Sequence, residues 1–262
     1  VTGRGSESDR SAVRVPPFLR SPRWIAGHAI VLVIVTGCVI AGFWQLDRLH
    51  QRRAANERIE ARLAEAPVSL DDLVASGSGH VDSLVYRRVR ATGSYDVEHE
   101  TVLIGRTLDE ETGNDLLTPL VISAGDGLIV NRGWVPYSLD APPVQAAIPP
   151  TGPVEVSGVL MPPEATSPAA SASPSPTVAT VDLGRLQAGV PYRLLPVYLW
   201  LQSQSPQGAS LPREVPLPEL SEGPHLSYSI QWFAFAAIGI IGYPLLIRRE
   251  IRRRRAPEVE SA

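Results

Sequence analysis

Hydrophobic positions along the chain follow two different patterns. Residues 24–46, "WIAGHAIVLVIVTGCVIAGFWQL", and residues 228–247, "YSIQWFAFAAIGIIGYPLLI", are apolar runs without Asp, Glu, Lys or Arg. Each is long enough to cross about 30 Å of hydrocarbon as a helix rising about 1.5 Å per residue. Nothing in residues 47–227 is comparable. After Pro67 the pattern becomes one of short strands. "VEVSGVL" puts Val154, Val156 and Leu160 on one face and Glu155 and Ser157 on the other. "LVYRRVRATGSY", "TVLIGR", "DLLTPLVIS", "GLIVNRGW" and "YRLLPVYLWL" are rich in β-branched and aromatic residues and bounded by Gly, Pro, Asn or Asp.

These patterns predict an integral membrane α+β protein, with two transmembrane helices flanking a β-rich extracytoplasmic domain, an antiparallel sandwich or an open barrel. The expected segments are an N-terminal arm (1–23), a first span (24–46), a helical extension (47–66), the β-rich domain (67–224), a second span (225–247) and an Arg-rich tail (248–262). The extension, "DRLHQRRAANERIEARLAEA", has no Gly or Pro, and Leu49, Ile59 and Leu63 give it a thin apolar stripe. Its arginines suit a solvated face near phospholipid headgroups. Pro196 places the last strand at an edge or a bulge, and Gly93 and Gly158 mark bulges or tight bends. "DLGRLQAG" reads as a short helix capped by Asp182 and stopped by Gly189. Two Pro-rich stretches, 162–177 and 203–224, read as disordered.

Charge fixes the expected orientation. Every basic residue is arginine, and "RREIRRRR" follows the second span at once. Arg4, Arg10, Arg14, Arg20 and Arg23 precede the first. Both termini are therefore expected in the cytoplasm, with the large loop outside a cell membrane. Arg48, Arg52, Arg53 and Arg58 lie on the expected outer side, but long loops translocate largely regardless of charge. The net charge of −3 argues against a nucleic-acid partner. High Ala, Pro and Arg usage, and Val1 as a literally translated GTG start, suggest a GC-rich bacterial genome. "VTGC" at 35–38 has the form of a lipobox, yet the apolar run continues for eight residues beyond Cys38. With one cysteine, neither an internal disulfide nor a Cys-pair metal site can form.

Enzyme machinery is hard to find. There is no G-x-S-x-G, H-E-x-x-H or P-loop pattern. The histidines (28, 50, 80, 99 and 225) are scattered, and Asp109, Glu110 and Glu111 fall in a turn-like, solvated run. "IVNRGWVP" is more informative. Arg132 and Trp134 are either a strand-ending turn with a Trp lid, or a fixed Arg–aromatic pair facing a partner or an anion. If the two spans run in opposite directions, His225 and Trp44-Gln45-Leu46 share the outer face. His225, Tyr228 or Ser229, and Trp232 then form one helical stripe. Aromatics also gather at any membrane interface as a belt. Gly37, Ala41, Ala236, Gly239 and Gly242 permit close helix packing.

Five stretches, in order, resemble the Surfeit locus protein 1 family of cytochrome c oxidase assembly factors: "GFWQLDRLHQRRAANERI", "YRRVRATGSYD", "NRGWVP", "VEVSGVL" and "HLSYSIQWFAFA". They extend from Gly42 to Ala236. The Pro/Ser insert and the arginine tail depart from the family without touching a motif. The resemblance implies a respiratory-chain chaperone that acts in haem A delivery or stabilisation. Its partners would be the oxidase catalytic subunit and the haem A synthesis machinery. It also matches His225 to the candidate haem ligand of bacterial members, with Tyr228, Trp232 and Trp44 flanking the macrocycle. Gln45, Arg48, Tyr86, Arg132 and Trp134 lie within the motifs as candidate partner contacts. A haem-independent scaffold for the unfinished catalytic subunit, and an extracytoplasmic enzyme or binding domain on two anchors, are the alternatives.

Overall fold

The computed structural model describes residues 16–75, 81–122, 125–164 and 175–255. In chain order the elements are α1 (Pro22–Ala64), β1 (Val68–Ser69), α2 (Leu70–Ala75), α3 (Val81–Leu84), β2 (Arg88–Tyr95), β3 (Thr101–Leu108), β4 (Glu111–Ile122), β5 (Gly127–Pro136), β6 (Pro153–Met161), β7 (Thr177–Val178), α4 (Leu183–Gln187), β8 (Leu194–Ser205) and α5 (His225–Arg255). The chain forms two compact units, residues 1–56 with 221–262, and residues 57–220.

The first unit is a helix pair. α1 starts at Ser21, whose carbonyl accepts from Trp24 N and Ile25 N, with Pro22 in the first turn where no amide is required. Its contacts with α5 run in opposite order along the two helices. His28 meets Tyr243, a Cβ on Gly239 would meet Val35, and Gly42 meets both Ser229 and Phe233. The helices are therefore antiparallel. Cys38, Gly42, Ser229 and Ala236 are buried along the seam. Ile25, Ile30, Leu32, Val33, Ile34, Ile40, Ile238, Ile240 and Ile241 are exposed, as suits a pair surrounded by hydrocarbon rather than water. Both helices are long and apolar enough to cross a membrane. The close approach uses Gly42 and Gly239 rather than Gly37 and Gly242, whose Cβ positions would meet nothing within 4 Å.

The second unit is built on one sheet in the order β1-β2-β6-β8-β5-β4-β3-β7, with β2 also paired to β4. That extra pairing closes the ring β2-β6-β8-β5-β4 into a barrel. The expected sandwich or open barrel is thus replaced by a closed one. It is not wholly antiparallel either, because β5 and β8 run parallel. Closure removes two exposed edges that an open sheet would leave. At the closing point Gly93, Ser94 and Tyr95 pair with Ile122, Val121 and Leu120. A Cβ on Gly93 would lie 2.4 Å from Val121 O, so a larger residue would hold the strands apart. Val89, Ala91, Leu120, Leu128, Val130, Val154, Val156, Leu160, Val197 and Leu199 form the main core.

Several expectations hold locally. Val154, Val156 and Leu160 all enter that core. The β6–β8 register slips between Ser157 and Gly158, and Pro196 falls where the β5–β8 register is irregular, between the Leu194 and Tyr198 pairs. Asp182 Oδ1 accepts from Gly184 N and Arg185 N, capping α4. The start of "LVYRRVRATGSY" differs: its Leu84 ends a short helix, and β2 begins at Arg88.

The Pro-rich stretches also differ from expectation. Of the 162–177 insert, residues 165–174 lie outside the described residues. Its edges are tied down: Val102 N donates to Pro176 O, Arg106 pairs with Glu164, and Thr177 begins a strand parallel to β3. The 203–224 stretch opens as the end of β8 and continues as a strap. Trp134 and Arg213 exchange both backbone hydrogen bonds at 2.8 Å, and Trp200 Nε1 donates to Val215 O. β5 is free of β8 beyond Asn131, so the strap satisfies that exposed edge despite its prolines.

Candidate functional site

The site lies at the end of the helix pair where α5 begins. Proline at 224 and Gly223 at φ 71° turn the chain into the helix. Tyr228 N and Ser227 Oγ donate to Pro224 O. The approach is clipped to α1 by Arg53, which donates from Nε and Nη2 to the two carboxylate oxygens of Glu222 at 2.8 and 2.9 Å. That bond holds the Glu222 carboxyl below its ordinary range.

Within this frame His225 faces α1. Its Nδ1 lies 2.9 Å from Gln45 Oε1. An amide oxygen can only accept, so the contact calls for the tautomer with the proton on Nδ1, which leaves Nε2 as the ring's other nitrogen for a ligand. One helical turn on, buried Ser229 donates from Oγ to Gly42 O at 3.1 Å. Phe233 packs edge-on against Phe43 at 5.2 Å between centroids. The α1-facing stripe is therefore His225, Ser229, Phe233 and Ala236. Of the expected stripe of His225, Tyr228 or Ser229, and Trp232, the seam takes His225 and Ser229. Tyr228 is 48% exposed and off the seam, and Trp232 is half-buried with its ring edge-on to Phe235. Trp44 is likewise exposed, with the Arg48 guanidinium 5.4 Å over its ring. An oriented imidazole thus stands among exposed aromatics at one end of an apolar pair. Among the described residues, no three of His, Cys, Asp and Glu gather as a metal cluster.

The other candidate contacts lie elsewhere. Arg132 and Trp134 are 4% and 2% exposed, so neither offers its side chain to a partner. β5 extends through them instead of turning before them. Arg132 donates from Nη1 to Glu100 Oε2 at 3.0 Å and from Nη2 to Ala147 O at 2.6 Å. It is a cation enclosed by its own partners. Tyr86 sits half-buried at φ 63°, its amide donating to Leu160 O, with its ring against the barrel core. Sequence reasoning missed Glu100. It accepts from Arg132, Thr118 Oγ1 and Val144 N, and its carboxylate is 1% exposed. A lone Glu before a strand gives no local sign of that. Asp109 and Glu111 are solvated, as expected, but both pair with Arg213 of the strap.

Comparison with known proteins is consistent with this architecture. The sequence profile of the SURF1 family matches residues 32–237. An uncharacterised SURF1-like protein of Mycobacterium bovis is 28% identical over 257 residues, covering 93% of this chain and 90% of the relative. One from Mycobacterium tuberculosis gives the same figures. A SURF1-like protein of Rickettsia felis is 25% identical over 234 residues, covering 86% of this chain and 97% of its own. The match runs from within the first apolar helix, across the whole barrel, into the second, and the chain belongs to the SURF1 family, an assembly-factor family linked to cytochrome oxidase.

Proposed function

We propose that this protein is a multi-pass cell-membrane factor that handles or stabilises haem A during assembly of the oxidase catalytic subunit. Both termini would be cytoplasmic and the barrel extracytoplasmic. The arginines after Ile247 support this topology, and the exposed isoleucines of both helices suit lipid. The observation that carries the haem reading is the His225–Gln45 hydrogen bond. A donating Nδ1–H fixes the ring and raises the basicity of Nε2, the arrangement that metal-bound histidines use. A single protein ligand is enough for an iron already held by four macrocycle nitrogens. His225 would hold that iron, while Trp44, Tyr228 and Trp232 would offer faces to the ring. The group would supply no chemistry in this protein. It would be cargo on its way from the haem A synthesis machinery to the oxidase catalytic subunit.

The same geometry favours a second reading. The bond to Gln45 and the Ser229–Gly42 contact could serve to lock the helix pair, leaving a haem-independent scaffold for the unfinished catalytic subunit. The experiment is the absorbance spectrum of full-length protein purified from cells making haem A. Wild type should carry haem, His225→Ala should lose it or shift its bands, and His50→Ala should match wild type, with membrane levels equal throughout. Unchanged haem in the His225→Ala protein would move the assignment to the scaffold.

A further inference from the structure

The opposite end of the helix pair is built differently. The segment Pro17–Arg20 comes beside the last turns of α5, where the Arg254 guanidinium lies 4.3 Å over the Phe18 ring. Phe18 meets Trp24 edge-on at 5.4 Å, Trp24 lies 6.0 Å from His28, and His28 is hydrogen-bonded to Tyr243. Aromatic rings therefore form a collar where the apolar stretches of both helices end. Beyond the collar the described charges are almost all positive. Among the described residues 16–28 and 243–255, Glu250 is the sole carboxylate, and it is already paired with Arg253 and Arg254. Arg20, Arg23, Arg248, Arg249 and Arg252 are all exposed, and none is paired with a carboxylate among the described residues. They come from two elements held together by the Phe18–Arg254 contact.

We propose that this cluster is a binding site for the phosphate headgroup of an anionic phospholipid. The proposal rests on the reading that the helices span a membrane. The arginines lie within about two turns of the aromatic collar, the level at which phosphate groups sit. Guanidinium forks match phosphate oxygens in pairs. A basic cluster next to a span, and poor in acidic neighbours, gains about fivefold in affinity per arginine for an anionic leaflet. A nucleic acid offers the same phosphates but no apolar tail for the surface that begins at Ile247.

The test uses full-length protein in nanodiscs of mixed phosphatidylglycerol and phosphatidylcholine, with retained lipid identified by native mass spectrometry. Wild type should retain phosphatidylglycerol in an excess of at least about fivefold over its share of the bilayer, the gain from a single arginine. Substituting glutamine for Arg20, Arg23, Arg248, Arg249 and Arg252 together should bring the ratio close to that of the surrounding bilayer. Substituting glutamine for Arg48, Arg52 and Arg58, at the other end, should leave the excess intact. A milder Arg249→Gln, Arg252→Gln protein, which keeps most of the charge that sets orientation, should fall between. No excess in wild type, an unchanged ratio in either variant of the cluster, or loss of the lipid to a competing DNA duplex would overturn the proposal. Alkaline carbonate extraction separates the two failures. Protein that leaves the membrane refutes the spanning reading, whereas protein that stays without lipid preference refutes this site alone.

Discussion

Gly42 and Phe233 meet with no room between them: a Cβ on Gly42 would lie 2.7 Å from Phe233 Cε1. Real side chains do not tolerate such contacts, so Gly42→Leu must push the ring or the whole of α5 away. Overpacking of this kind costs about 1–3 kcal/mol. The same shift would break the Ser229 Oγ to Gly42 O bond. Engineered cysteines at Val35 and Gly239, where a Cβ on Gly239 would lie 2.6 Å from Val35 Cγ2, provide the readout. They should cross-link efficiently in an otherwise wild-type chain, poorly in Gly42→Leu, and better again when Phe233→Ala is added.

Glu100 and Arg132 form an ion pair with side chains 1% and 2% exposed. Removing one partner leaves a charge in the barrel with nothing to balance it, a loss of about 3–5 kcal/mol. Glu100→Ala should be worse than Glu100→Gln, whose one amide oxygen still accepts from either Thr118 Oγ1 or Val144 N. A double change of both residues to methionine should cost less than either single truncation, because no orphaned charge remains. Chemical denaturation of the full-length protein in detergent, followed by tryptophan fluorescence, gives the order. Equal losses in single and double variants would count against the pair.

Asp115 gives the barrel a pH dependence. Burial raises its carboxyl above the ordinary value of 3.8, opposed by the hydrogen bond from Asn131. The neutral form is the one the fold favours. Its contribution is fully present below the unfolded value and lost as pH climbs through the raised one. Asp115→Asn keeps an acceptor for Asn131 and carries no charge at any pH. The variant should gain on wild type as pH rises from about 4, with the difference levelling off once pH has passed the raised value. Parallel melting curves for the two proteins across that range would refute the assignment.

The strap is held at Gly133, which has φ 122° and where a Cβ would lie 2.2 Å from Arg213 O. Gly133→Ala should release the 206–220 segment, exposing it to limited proteolysis while the barrel stays folded. Arg213→Ala should release it less, since the two backbone bonds to Trp134 survive.

The insert should be removable up to its ends. Deleting Ala165 to Pro174 should leave protein level and oxidase activity near wild type. Extending the deletion through Pro176 should lower the protein level, because Val102 N then loses its acceptor. Loss of activity from the shorter deletion would point to a partner contact there.

Much of this architecture is written in local pattern. The apolar runs, the period-two alternation of Val154 to Leu160 and the Asp182 cap each act over a few residues, and each was legible. What escaped depends on distant positions. Glu100 and Arg132 are 32 residues apart, Trp134 finds its strand partner in a Pro-rich stretch, and His225 finds Gln45 across 180 positions. Opposed spans suggested that His225 and Gln45 share a face, but not that one orients the other. Barrel closure left a single trace, Gly93, which a bend would explain equally well. Burial of Arg132 and Trp134 counts against the pair facing a partner and leaves Trp134 inside, a choice no short window could make because it does not report which carboxylate waits opposite.

The position of β8 has a consequence for synthesis. It is the last strand made, yet it sits between β6 and β5 in the ring. Until residues 194–205 have emerged, the earlier strands present two unpaired edges and a gap into the core. Nineteen residues, 206–224, then separate β8 from the start of α5. The barrel therefore cannot close on a chain that stops short of the second apolar helix by much more than the strap. Completion of the domain and arrival of His225 are nearly simultaneous events in the life of each molecule.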